Sequence, residues 1–292
     1  IEKLIKSSLV KVNGNLIQKP SFKIKEGDRV DYKFIEAKKS KIEQIDIDIE
    51  KLYEDEDILI LNKPSNLVVH SAPSVKEATL VDWLKKEGIS LSTINGEERF
   101  GIVHRLDKDT TGAIVIAKNN YVHKELAAQL QNRSMGRYYL AIINYPLKDN
   151  IEIVKPIGRN PKNRLKMAVV DYGKEAKSRF VKILEGKNQE ELIGAKLYSG
   201  RTHQIRVHLS SLNRYILGDE LYAPKSVNFN HRIFLHAYLI YLIHPRTKKP
   251  LEVVAPLFED MREYIVNNFN KGEEYVEIDK EWLKSSFNGN SF

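Results

Sequence analysis

The chain has 292 residues, with 47 Lys and Arg against 39 Asp and Glu, a formal net charge of +8 and a sequence pI near 9.2. Its length suits one large domain or a large domain with a small one, and 42% hydrophobic with 29% charged residues is a soluble, globular composition. The lack of cysteine excludes disulfides, thiol nucleophiles and Cys-based zinc sites. No apolar run is long enough to span a membrane, no two histidines stand at the i,i+4 spacing of HExxH zinc sites, and no signal pattern opens the chain. A cytoplasmic protein with no membrane partner and no metal is expected.

The positive charge is uneven. Residues 1–40 hold ten Lys and Arg and five Asp and Glu, a net of +5, and a small basic module on a near-neutral body is an electrostatic footprint for nucleic acid. Within that module "IEKLIKSS" predicts a short amphipathic helix. "VKVNGNLI" predicts a hairpin around Asn13-Gly14, the strongest two-residue hairpin signal, and "KEGDRVDYKF" a second turn and a strand. Residues 36–50 are polar and charge-rich and read as a linker entering a strand.

In the body, "DILILNKPSNLVVH" predicts two short strands around a Lys-Pro turn, and "TLVDWLKKEG" a helix ending at Gly88. "GAIVIAKN" predicts a buried strand, and "NYVHKELAAQLQNRS" a helix with Val122, Leu126 and Leu130 on one face. "RYYLAIIN", "AKSRFVKILE", "ELIGAKLYSG" and "RIFLHAYLIYLIH" predict strands. "THQIRVHLSSLN" predicts a helix with Thr202 as its N-cap, and "LFEDMREYIVNNFN" another. Strands outnumber helices and do not alternate with them. The expected fold class is therefore α+β, a mixed, mostly antiparallel sheet with flanking helices, not a doubly wound sheet.

Residues 101–119, "GIVHRLDKDTTGAIVIAKN", pack Asp107, Asp109, His104 and Arg105 around one short polar loop. On local chemistry alone a connection between strands is the simpler reading, because Asp, Thr and Gly are turn formers. The rest of the chain changes that balance. "NKPSNLVVH" (62–70), "HRLDKDTTG" (104–112), "RYYLA" (137–141), "SGRTHQIRVHL" (199–209), "ILGDELY" (216–222) and "LHA" (235–237) resemble, in order, the motifs of RluA/RluD-type pseudouridine synthases, across residues 50 to about 260. "V-x-V-N-G" and "G-D-x-V" near the start resemble the later part of an S4 RNA-binding domain, whose first helix would lie upstream of Ile1. The resemblance divides the chain into a partial S4-like domain at 1–37, a linker at 38–48 and a catalytic domain at 49–292. Three positions depart from the family pattern. Thr111 stands for Ser, Arg137 for Lys, and Asn66 for Gly, where Asn is among the best non-Gly residues should a positive φ be needed.

The resemblance implies an enzyme that isomerises specific uridines in RNA to pseudouridine without a cofactor; a monomer is expected. By family analogy the substrate is large-subunit ribosomal RNA, with transfer RNA as the alternative. It gives the central role to Asp107, which attacks C1′ or removes the C2′ proton; the residues do not choose between these. A glycosidase needs a second carboxylate as acid, whereas uracil leaves as a delocalised anion, so one carboxylate suffices and Asp109 reads as a turn residue. Arg206 is expected to pair with Asp107. Tyr139 is expected to stack on the uracil or help take the C5 proton, while Tyr138 faces the other way as an ordinary core residue. Extruding the base costs a few kcal/mol, and Arg105 is expected to fill the space it leaves. Lys63, Arg201 and His203 are candidates for phosphate or substrate contact, with a structural role equally open for each. His70 and His208 read as core or supporting histidines, and His236 matches a motif without an evident role. Two other readings compete: a non-catalytic RNA-binding protein on a decayed synthase fold, opposed by the intact Asp107, Tyr139 and Arg206 set, and a nucleosidase, opposed by the missing second acid.

Overall fold

The computed structural model describes residues 4–5, 8–33, 47–72, 75–94, 96, 99–224 and 231–288. The chain divides into two compact units, Ile1–Gln44 and Ile45–Phe292; residues 38–46 of the expected linker lie outside the described residues. In the first unit Leu4 and Ile5 are helical, and β1 (Val10–Val12), β2 (Asn15–Leu16) and β3 (Val30–Tyr32) form a sheet in the order β2-β1-β3. Asn13 and Gly14 both take positive φ, 50° and 82°, the geometry that lets a two-residue turn match strand twist. The Asn13 amide donates to Asp28 and accepts from the Arg29 N–H, tying the hairpin to the second turn. Ile5, Val10, Val12 and Ile17 form the small core.

The second unit is built on a nine-stranded sheet. Its strands are β4 (Lys51–Glu54), β5 (Ile58–Lys63), β6 (Thr111–Ala117), β7 (Gly136–Ile143), β8 (Ile151–Val154), β11 (Lys177–Glu185), β12 (Glu191–Leu197), β13 (Leu235–Ile243) and β14 (Pro250–Val254). They run in the order β4-β5-β6-β13-β7-β12-β11-β8, with β14 also on β13. β9 (Ile157–Arg159) and β10 (Met167–Val169) make a separate two-stranded sheet. All pairings in the large sheet are antiparallel except β6 with β13, where Thr111 lies opposite His236 and Gly112 opposite Ala237. The α+β, mostly antiparallel expectation is borne out.

Both faces of the sheet are covered, which is why its central strands are apolar at every position rather than at alternate ones. Leu59, Leu61, Ile114, Ile116, Tyr139, Ala141 and Ile193 pack on one side, with α1 (Leu80–Lys86) and α3 (Gln204–Ser210). Their period-two neighbours pack on the other, with α2 (Asn120–Asn132), α4 (Glu259–Asn268) and α5 (Lys280–Ser286). α1 starts with a capping box between Thr79 and Asp82, and α2 with Asn119 accepting from the Val122 N–H.

"NKPSNLVVH" departs from the expectation of two strands. Only β5 forms. Asn66 takes φ 61°, in the left-handed region, and turns the chain off the sheet. Leu67 and Val69 then pack in the core without pairing as a strand, and the Val68 and Val69 carbonyls accept from the Leu80 and Val81 N–H groups at the head of α1. The sequence reading also missed β8, β9, β10, β14 and α5.

Candidate active site

The 104–110 loop enters β6 at the middle of the sheet, where β6, β13 and β7 lie side by side. Close passage is enforced at Gly112, with φ 108°, because a Cβ there would run into the Ala237 backbone. Next to it the Thr111 hydroxyl lies 2.8 Å from His236 Nδ1, and His236 Nε2 lies 3.0 Å from the Ala255 carbonyl. The neutral ring donates from Nε2 to that carbonyl and accepts the Thr111 hydroxyl at Nδ1, so position 111 needs a hydroxyl and Thr serves as Ser would. His236 thus fastens the loop's exit to β13, a structural part that its motif alone did not disclose.

Burial pushes the His236 imidazole down from 6.5 to about 4. The unfolded chain takes up a proton near pH 6.5 that the folded ring refuses until about pH 4. This stabilisation is therefore complete above 6.5 and is lost on acidification, up to about 3 kcal/mol in all. Urea denaturation at pH 7 and 4.5 should show wild type losing about 2–3 kcal/mol more than His236→Gln between the two values. Parallel losses would remove His236 from this account.

A cleft of about 560 Å³ opens at the loop and is lined by Arg105, Asp107, Tyr139, Arg201, His203 and Arg206 among others. Asp107 Oδ2 accepts from Arg206 Nη1 at 3.2 Å and lies 3.8 Å from His203 Nε2. Arg206 is itself held from behind: its Nε and Nη2 donate to the two carboxylate oxygens of Asp219 at 2.8 and 2.7 Å. Asp219 is buried and also accepts from the Leu221 and Tyr222 N–H groups. Desolvation works against the Arg206 charge, but Asp219 and Asp107 outweigh it and hold the guanidinium above its usual range. A bidentate Arg–carboxylate pair fixes the plane of the guanidinium, and so the direction in which its third bond meets Asp107. Asp219 lies in "ILGDELY", quoted above without a role; only the tertiary contact gives it one.

Tyr139 is buried on the cleft wall and makes no hydrogen bond from its hydroxyl to the described residues. Burial raises its phenol, against Arg137 and with a smaller push from Asp107, so it stays protonated at neutral pH. Tyr138 points into the opposite layer against Tyr241 and Phe287. His203 is lowered mainly by desolvation, with Asp107 opposing, and its Nδ1 meets the Tyr222 hydroxyl at 2.9 Å. Arg105 and Arg201 are exposed at the rim, and Arg201 Nε donates to the Glu175 carbonyl at 2.9 Å. Asp109 is exposed on the loop.

Two expectations are corrected here. Lys63 is fully buried and does not line the cleft: its Nζ donates to the Pro64, Leu67 and Lys108 carbonyls at 2.7, 2.9 and 2.9 Å. Two of these bonds hold the 64–67 turn and the third ties that turn to the loop between Asp107 and Asp109, so the amine is used inside the fold and not on a phosphate. Thr202 is not the N-cap of α3; His203 occupies that position with φ 56° and no side-chain cap bond. The turn is held instead by Gln204, whose Oε1 accepts from Ser199 Oγ and the Arg201 N–H while its Nε2 donates to the Lys177 carbonyl and Ser178 Oγ.

Among the described residues no three His, Cys, Asp or Glu side chains are placed to hold a metal ion, and no helix is long and apolar enough to cross a membrane.

The sheet, its covering layers and this cleft define an α+β protein with a polar, charged cleft at the middle of the sheet, and comparison with known proteins specifies its family. Residues 57–211 match the "RNA pseudouridylate synthase" family and residues 1–30 the S4 domain. An "Uncharacterized RNA pseudouridine synthase" of Helicobacter pylori strain J99 is 47% identical over 97% of this chain and 90% of that protein. The "Ribosomal large subunit pseudouridine synthase D" of Zymomonas mobilis is 37% identical over 90% and 86%. A solved structure, "Human RNA Pseudouridylate Synthase Domain Containing 1", shares the fold with a TM-score of 0.64 at 20% identity, over 83% of this chain and 96% of that one. The chain belongs to the RNA pseudouridine synthase family and carries an S4 RNA-binding domain: it is an isomerase of uridine in RNA.

Proposed function

We propose that this enzyme converts uridine to pseudouridine in large-subunit ribosomal RNA, as a cytoplasmic monomer, with Asp107 as the reacting carboxylate. The observation that carries the reading is the Asp107–Arg206–Asp219 chain at the cleft. Arg206 aims Asp107, and Asp219 keeps Arg206 from moving. Isomerisation breaks the N1–C1′ bond, turns the uracil and rejoins it through C5. Asp107 either bonds to C1′ or takes the C2′ proton. Tyr139, protonated because burial raises its phenol, serves as a flat wall for the ring rather than as the base for C5. Arg105, exposed at the rim, fills the stack the base vacates; Arg201 and His203 contact the substrate strand. The ribosomal substrate rests on the resemblance to large-subunit synthases, and its test is direct. Unmodified ribosomal and transfer RNA are incubated with the enzyme and pseudouridine is mapped at single-nucleotide resolution. Discrete sites in large-subunit RNA are expected; modification of transfer RNA alone would reassign the substrate.

The basic leader adds affinity rather than chemistry. Removing residues 1–45 should weaken RNA binding and flatten its salt dependence, because fewer phosphate counterions are displaced. A titration series over salt concentration with an unchanged slope would count against a binding role for this segment.

A further inference from the structure

We infer that Arg137 holds the uracil carbonyl oxygens and receives the negative charge that builds on the ring as the N1–C1′ bond breaks. This rests on reading the cleft as the uridine site. Arg137 lines that cleft and is only 8% exposed. Its Nε is buried with no partner, and among the described residues its guanidinium forms no ion pair. Among the described residues its one polar contact is between Nη1 and His104 Nδ1, at 3.0 Å.

That contact does not satisfy it. Desolvation and the Arg137 charge keep His104 well below the usual imidazole range, so the ring is neutral and has one lone pair to offer. The Val115 N–H, 3.0 Å from Nε2, competes for the same capacity. A buried cation with five donors and at best one acceptor is costly to keep. The neighbouring cations are provided for: Arg206 by Asp219 and Asp107, Arg201 and Arg105 by exposure at the rim. Among the described arginines of the cleft, Arg137 is the buried one left without an anionic partner, built to wait for an acceptor that comes with the ligand.

Its position says which acceptor. Arg137 stands two residues before Tyr139 on β7, hence on the same face and roughly 7 Å along the strand. Both are buried, whereas a phosphate backbone follows the exposed rim; an extruded base is what enters deeply. When N1–C1′ breaks, its electron pair goes to the ring and spreads over N1, O2, C5 and O4. Asp107 meanwhile bonds to C1′ or carries the C2′ proton. The pair returns as the C5–C1′ bond while the Asp107–C1′ bond breaks, or while Asp107 gives the proton back to C2′; the C5 proton then leaves to solvent and N1 takes one up, so no redox partner is required. A guanidinium fork against O2 or O4 favours the charged ring over the neutral one, which lowers the barrier instead of merely tightening binding. Lysine, usual at this position in the resemblance above, keeps the charge without the fork.

The test is single-turnover conversion by Arg137→Gln and Arg137→Lys, beside an RNA-binding titration at fixed salt. The rate in Arg137→Gln should fall by ~100-fold or more with nearly unchanged affinity, while Arg137→Lys, which keeps the charge but not the fork, should show a smaller defect. A second substrate carries 5-fluorouridine at the target, whose ring anion is intrinsically more stable, and its rearrangement is followed by digestion and chromatography. The ratio of wild-type to Arg137→Gln rates should shrink on this RNA. Equal defects on both RNAs would make Arg137 structural, and weaker binding with a shallower salt slope at unchanged rate would make it a phosphate contact; either overturns the inference. If Arg137→Gln does not fold, the smaller defect of Arg137→Lys must shrink in the same way, and failure to shrink overturns it too. Asp107→Asn is run alongside: an inactive Asp107 variant with a normal Arg137→Gln refutes this inference alone, whereas an active Asp107 variant refutes the reading of the cleft.

Discussion

Asp107→Asn raises the barrier to isomerisation by at least ~5 kcal/mol, more than three decades in rate, and leaves RNA affinity unchanged or slightly higher. The amide keeps the shape and can still accept from Arg206 Nη1, 3.2 Å away, but it cannot readily bond to C1′ or hold the C2′ proton. The expected loss exceeds the ~3–5 kcal/mol typical of general acid–base contributions, because the whole bond-making or proton-taking group is removed. Affinity is spared because one negative charge facing a polyanion is gone. Asp109→Asn, on the exposed side of the same loop, should keep most activity, since Asn supports the same turn. Tritium release from C5 of labelled uridine, measured for both variants, checks this pair; full activity in the Asp107 variant would move the chemistry elsewhere.

The second large effect is on the fold as well as on activity. Arg206→Met strands the Asp219 carboxylate, which is 2% exposed and keeps only backbone N–H partners. Breaking a buried pair from one side costs about 3–5 kcal/mol, because an uncompensated charge stays inside. Chemical denaturation should show that loss. Arg206→Met combined with Asp219→Leu should recover most of the stability, as apolar replacement of both partners removes the stranded charge, yet remain inactive because Asp107 has lost its anchor. A single variant as stable as wild type would mean that the Arg206–Asp219 pair contributes nothing to the fold.

Much of this was legible in the residues. The period-two separation of Tyr138 from Tyr139, the Asn-Gly hairpin and the strand-rich, non-alternating order all follow from local chemistry, and the structure has them. Which partner a side chain finds was not legible. Lys63 reads equally as a phosphate contact or a structural donor, and only the fold shows three carbonyls converging on it. Thr202 is a good N-cap residue in the abstract, but the left-handed turn at His203 takes the cap position and Gln204 holds the turn from within the helix. Asp219 and His236 lie far along the chain from the loop they serve, Asp219 13 residues beyond Arg206 and His236 125 beyond Thr111, and no local pattern encodes such pairings.

The most direct test of the central claim is a product balance. The enzyme is incubated with unmodified ribosomal RNA without added cofactor, the RNA is digested to nucleosides, and uridine, pseudouridine and free uracil are quantified for wild type and Asp107→Asn. Pseudouridine gained should equal uridine lost in the wild type, with no uracil released, and neither uridine nor pseudouridine should change in the variant. Free uracil in the wild-type reaction, or pseudouridine formed at the wild-type rate by Asp107→Asn, would contradict that claim.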